Sequence, residues 1–166
     1  MKYNNIYMLV ERIIKIIIVG DSGTGKTSLI KKYINKNESI IMPEITIGID
    51  FQSKLISLDG IPTKVHFWDT AGQDHFRSII NYYYKDTCAA IIVFDITNFD
   101  SFANVKFWLE EVKKNNNCPS DHKHPILLLG NKTDLKSKRN VNADMVEALI
   151  IEHGLLYAEV LSLIHI

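Results

Sequence analysis

The sequence predicts an α/β domain, a mostly parallel β-sheet layered between helices on both faces, on three observations. Apolar, β-branched runs of strand length recur along the 166 residues. Several are continuously apolar rather than alternating, the pattern of strands covered on both sides. Segments with helical apolar spacing lie between them, and such alternation folds as a parallel sheet with helices above and below. With 46% apolar and 23% charged residues, the chain can bury one core. No internal repeat divides it.

In chain order, Ile13–Val19 (IIKIIIV) reads as a buried strand and Lys26–Asn35 as a helix. Thr46–Leu58 and Thr63–Trp68 read as strands joined at Leu58-Asp59-Gly60-Ile61, where Asp-Gly suits a tight antiparallel hairpin. The sheet should therefore be mixed, with one antiparallel strand. Ala89–Phe94 is a further strand, and Phe102–Lys114 a helix with Phe102, Val105, Trp108, Leu109 and Val112 on one stripe. After a polar loop, Asn115–His124, come a strand at Ile126–Leu129 and a helix at Ala143–Glu152. Asn142 is its N-cap, and Val141 is placed to staple onto Val146. Leu155–Val160 is the last strand. Residues 1–11 read as an N-terminal extension, 12–160 as the domain and 161–166 as an atypical tail.

Composition removes several function classes. Lys plus Arg and Asp plus Glu number 19 each, so no basic field exists to hold a nucleic acid. Cys88 and Cys118 are unpaired in spacing, which suits a reducing compartment. His122 and His124 read as solvated loop residues. No apolar run approaches the roughly 20 residues that span a bilayer, and MKYNNIYMLVERII has polar breaks where a signal peptide needs an unbroken apolar core. The chain reads as cytosolic.

The chemistry starts at Gly20, where GDSGTGKT matches G-x-x-x-x-G-K-[ST] between the first strand and the first helix. Glycines let the backbone N–H groups of Asp21, Ser22, Gly23, Thr24 and Gly25 turn inward, and Lys26, Thr27 and Ser28 continue that nest into the positive end of the helix. A polyphosphate fits such a concavity. Lys26 would reach β- and γ-phosphate oxygens, and the Thr27 hydroxyl would coordinate Mg²⁺. Adenine and guanine nucleotides would use the loop alike.

Asn131-Lys132-Thr133-Asp134 (NKTD) follows ILLLG and by itself is good turn composition. Beside a phosphate loop more than 100 residues upstream it means more, because a carboxylate at Asp134 can accept from guanine N1–H and the exocyclic amine, donors that adenine lacks there. The phosphate loop, NKTD and Trp68–Gln73 (WDTAGQ) together resemble the small GTPases of the Ras superfamily. That resemblance implies GTP or GDP as ligand, Mg²⁺ as cofactor and slow GTP hydrolysis. It implies Asp69 as the carboxylate holding Mg²⁺ through water, the Gly72 N–H on the γ-phosphate and Gln73 orienting the attacking water. Thr46 matches the switch threonine that closes on Mg²⁺ and γ-phosphate. None of Arg12, Arg77 and Arg139 stands where a built-in arginine finger would, so hydrolysis should await an activating partner.

Ile47–Phe51 (IGIDF), WDTAGQDHFRSI and Tyr82–Thr97 (YYYKDTCAAIIVFDIT) look like the Rab branch, over nearly all of Arg12–Glu159. The resemblance implies a three-layer P-loop domain with six strands and about five helices, and a monomer that binds an exchange factor, an activating protein and GTP-state effectors. It also implies an effector surface of Ile47, Phe51, Trp68 and Tyr83, and a role in vesicle trafficking. The alternative is a guanine-nucleotide-binding recruitment module that does not hydrolyse. The sequence departs from the family pattern at Asp74-His75, where Glu-Arg is usual, and at Ser39, where an aromatic usually packs on guanine. At the end, AEVLSLIHI replaces the expected Ser-Ala-Lys loop, final helix and C-terminal cysteines. Leu161–Ile166 is therefore expected to be non-native and the true chain longer, with membrane association confined to a prenylated full-length form on the cytosolic face of an endomembrane.

Overall fold

Six strands form one sheet in the order β2-β3-β1-β4-β5-β6. They are β1 (Arg12–Val19), β2 (Ile49–Leu58), β3 (Ile61–Thr70), β4 (Ala89–Asp95), β5 (Ile126–Asn131) and β6 (Leu156–Glu159). The structure, a computed structural model, describes residues 12–35, 49–70, 83–115 and 124–161. All pairings are parallel except β2 with β3. The predicted α/β class, mixed sheet and single antiparallel strand are all present.

The continuously apolar runs are explained by two-sided burial. Along β1, Ile17 and Val19 enter one core while Ile18 enters the other, and β4 divides Ile92 and Phe94 from Val93 in the same way. On the first face lie helices α3 (Val105–Asn115) and α4 (Ala143–His153), contributing Trp108, Leu109, Val112, Val146 and Leu149. On the second lies α1 (Lys26–Ile34), which contributes Ile30. Beside α1 this second face opens into an apolar cleft of about 340 Å³ between Leu29, Tyr33, Ile56 and Phe67.

The hairpin between β2 and β3 turns at Asp59 (φ 52°) and Gly60 (φ 79°). Two consecutive left-handed residues are what a two-residue turn matched to strand twist requires. Leu58 pairs with Ile61, so the register places Phe51 opposite Trp68.

The helix predicted over Phe102–Lys114 is instead two helices. A short α2 (Phe99–Ala103) ends at Asn104, and α3 begins at Val105. Phe102 belongs to α2 and meets Phe94 edge-on at 5.2 Å. Short polar side chains start the extra turn. The Asn98 side chain accepts from the Asp100 and Ser101 N–H groups, and the Ser101 hydroxyl donates to Asn98 O at 2.8 Å and accepts from Asp95 N at 3.0 Å. The extra turn is thereby fastened to the end of β4. At α4 the expectation holds: Asn142 caps Asp144 N at 2.9 Å, Val141 and Val146 are both buried, and Gly154 at φ 62° closes the helix. The predicted strand start at 46–48 lies outside the described residues.

Candidate functional site

The site is built where β1, β3 and β5 end on the same edge of the sheet. Out of β1 the chain turns through Gly20 (φ 139°), Gly23 (φ 77°) and Gly25 (φ 92°), backbone angles that glycine reaches without steric cost. Gly20 has a second reason: a Cβ there would stand 2.2 Å from Val93 O on β4. The loop is thus pressed against the neighbouring strand. Thr24 closes it by donating its hydroxyl to Asp21 O at 2.9 Å.

Lys26 is buried in the loop it follows, donating from Nζ to Gly20 O at 2.7 Å and to Asp21 O at 2.8 Å. Burial pushes its ammonium down to about 8, against the opposing pull of Asp69 and Asp21. A cation in such a low-dielectric cradle is placed to meet an anion.

One residue on, the Thr27 hydroxyl donates to Asp69 Oδ2 at 2.5 Å, so the helix start and the end of β3 converge across 42 residues. Asp69 is buried. A hydroxyl and a carboxylate at one point form the hard oxygen donor set that Mg²⁺ selects, and the pair fits that ion.

The NKTD segment joins the same site. Asn131, at the end of β5 and fully buried, donates from Nδ2 to Thr24 O at 2.7 Å and so ties the NKTD segment to the glycine-rich loop across 107 residues. Lys132 takes a left-handed φ of 68°, and its ammonium pairs with Asp95 Oδ2 at 2.7 Å. Asp95 also accepts from Thr97 N and Oγ1. Burial raises the Asp95 carboxyl, but these partners outweigh it and hold the group below its usual range. Asp134 stands exposed at the start of a 3₁₀ turn, Thr133–Lys138, in keeping with the turn composition of NKTD. Ser22 and Gly23 are also exposed, and Ser28 is half-buried. Asp95 and Thr97 were missed, although the carboxylate at the end of β4 beside a β5-terminal lysine was a findable signal.

On the β2–β3 ribbon the expected aromatic group forms. Phe51 meets Trp68 at 5.1 Å, and Trp68 meets Tyr83 at 5.3 Å. Two further members escaped the sequence reading: His66, edge-on to Phe51 at 4.9 Å, and Lys15, whose ammonium lies 4.9 Å from the Trp68 ring. Phe51 is 46% exposed, an apolar ring open to solvent within the patch. Thr46, Ile47, Gly72 and Gln73, like Ser39 and Asp74-His75, lie outside the described residues. Among the described residues no group of metal-ligating histidines, cysteines and carboxylates occurs. A model of the Ras family matches residues 15–163.

Proposed function

This chain belongs to the Ras family of small GTPases, nucleotide-binding switches that bind GTP or GDP with Mg²⁺, and from that premise we propose that it is a Rab-type member. In this reading it hydrolyses GTP slowly and governs vesicle trafficking on the cytosolic face of an endomembrane. The observation that carries the guanine assignment is the Asn131–Thr24 hydrogen bond, which brings NKTD against the phosphate loop. Asp134 then reads the guanine edge, and Asn131 with Lys132 frames it. The backbone N–H groups from Asp21 to Ser28 and the Lys26 ammonium hold the phosphates.

Thr27 and Asp69 are the residues that would hold Mg²⁺, joined by Thr46 in the GTP state. When bound, the ion neutralises charge on the β- and γ-phosphates. Gln73 orients the attacking water and the Gly72 N–H meets the γ-phosphate. Slow turnover is supported by the placement of the two arginines among the described residues. Arg12 opens β1 eight residues before the loop, roughly 25 Å away along an extended strand, and Arg139 is engaged by Glu159 at 2.6 Å. An activating protein that supplies an arginine would accelerate hydrolysis by about 10³–10⁵. Phe51, Trp68 and Tyr83, with Ile47, form the effector surface, a reading supported by the exposed Phe51 ring and its aromatic contacts to the half-buried Trp68 and Tyr83.

Displacement of a fluorescent guanine nucleotide by GDP and by ADP tests the base assignment. GDP should compete and ADP should not, and Asp134→Ala should erase the preference. Tighter ADP binding would refute the reading. Single-turnover hydrolysis with and without an activating protein, in the wild type and in Gln73→Leu, separates the switch from a non-hydrolysing recruitment module. The wild type should be accelerated and the variant should not.

A further inference from the structure

The phosphate loop is held at one more point, by partners outside every motif described above. Both oxygens of the Asp21 carboxylate are taken by residues around the α2–α3 break. Trp108 Nε1–H donates to Oδ1 at 2.8 Å, and Asn104 Nδ2 donates to Oδ2 at 2.7 Å. The partners are 87 and 83 residues away in sequence. Trp108 is 2% exposed and belongs to the first core, so its N–H is fixed by packing. Asn104 is placed by the break itself, its own N–H bonded to Asp100 O at 3.0 Å.

From this geometry we propose that Asn104 and Trp108 are positioning residues for nucleotide binding, acting through Asp21. The proposal rests on the guanine-nucleotide reading above. A loop with three glycines at positive φ has much conformational freedom to lose. Lys26 fixes the carbonyls of Gly20 and Asp21, and Asn131 fixes the carbonyl of Thr24. Those anchors belong to segments that also face the ligand. The Asp21 side chain supplies an independent one, in which two N–H donors meet a carboxylate, and hydrogen bonds to an ionised group are the stronger kind.

A second consequence is electrostatic. Asp21 lies near enough to Lys26 to pull on its ammonium, and a carboxylate loose in a polyphosphate cradle would repel the ligand and compete for that lysine. Engaged at both oxygens, it is committed to the α2–α3 break. The tether therefore lengthens the residence of the nucleotide without touching it.

The test is a double-mutant cycle on release of a fluorescent GDP analogue from the full chain in Mg²⁺. Asn104→Ala with Trp108→Phe, and separately Asp21→Ala, should each speed release by about tenfold, the range set by losing hydrogen bonds to a charged group. All three changes together should release no faster than Asp21→Ala alone, because the partners act through that carboxylate. Multiplied effects, or unchanged release in the Asn104→Ala, Trp108→Phe chain, would overturn the proposal. If Trp108→Phe unfolds the core, Asn104→Ala alone keeps the cycle, since Asn104 is exposed; it should still speed release by about threefold, lost in the Asp21→Ala background. Failure of the wild type to bind GDP would sink the guanine reading and this proposal with it, whereas wild-type binding with unaltered variants would sink the tether alone.

Discussion

Lys26 shows what a single buried charge does for this site. Its ammonium, lowered to about 8 by burial, titrates near neutrality in the free protein. Bound phosphates favour the charged form and raise that value. Between about pH 8 and the bound-state value, binding must therefore take up a proton, and affinity should fall by up to tenfold per pH unit as pH rises above 8. Calorimetric GDP titrations in buffers of different ionisation enthalpy should show this uptake at pH 8.5, and its absence would refute the linkage. Lys26→Met should abolish the uptake and weaken binding by about 100-fold, the loss of two charge-assisted bonds. For folding the sign is reversed. The unfolded lysine, near 10.4, holds more protons than the folded one, so the nucleotide-free fold gains stability as pH rises above about 8. The lysine's identity was legible in the motif; its burial under the loop carbonyls was not.

Among the elements, the contact between the β1–α1 loop and β4 separates two glycines that look alike in sequence. At Gly20 a Cβ would meet Val93 O at 2.2 Å, so Gly20→Ala must push the loop off a backbone it cannot displace. That should cost more than about 3 kcal/mol in urea unfolding and remove nucleotide binding. Gly23 has nothing within 4 Å of its Cβ position and only a left-handed φ to oppose substitution, so Gly23→Ala should cost about 1–2 kcal/mol. Equal losses at the two positions would contradict the packing account. The spacing of these glycines could be read from the sequence, but Val93 could not be assigned as the partner. The short α2 escaped because apolar periodicity carries through Phe102, while the Asn98 and Ser101 bonds that start the turn are made to backbone and to β4.

For the whole molecule, two of the described carboxylates contribute to its acid limit. The Arg139 guanidinium, with help from the Tyr157 hydroxyl, holds Glu159 below its usual range, and Lys132 with Thr97 does the same for Asp95 despite burial. Both pKa values are depressed in the fold. Their stabilisation is present above the unfolded values near 4 and is lost as pH falls further, through the folded ones. Urea midpoints should drop steeply below about pH 4, and Arg139→Met should flatten that limb while lowering the midpoint at pH 7. An unchanged acid limb would show that the Arg139–Glu159 pair at the end of β6 contributes nothing to it.

The sequence alone determined the alternation of strands and helices, the hairpin turn at Asp59-Gly60 and the phosphate-loop, NKTD and WDTAGQ motifs. Those are properties of local backbone preference and of residue types at fixed spacing. Tertiary structure decided what meets across the chain: Thr27 with Asp69, Asn131 with Thr24, Asp95 with Lys132, and Asp21 with Asn104 and Trp108. Each is a hydrogen bond or ion pair between segments far apart in sequence, and strand order and register bring its partners together. Period and propensity carry no information about which strand lies beside which, and that neighbourhood is where this site acquires its geometry.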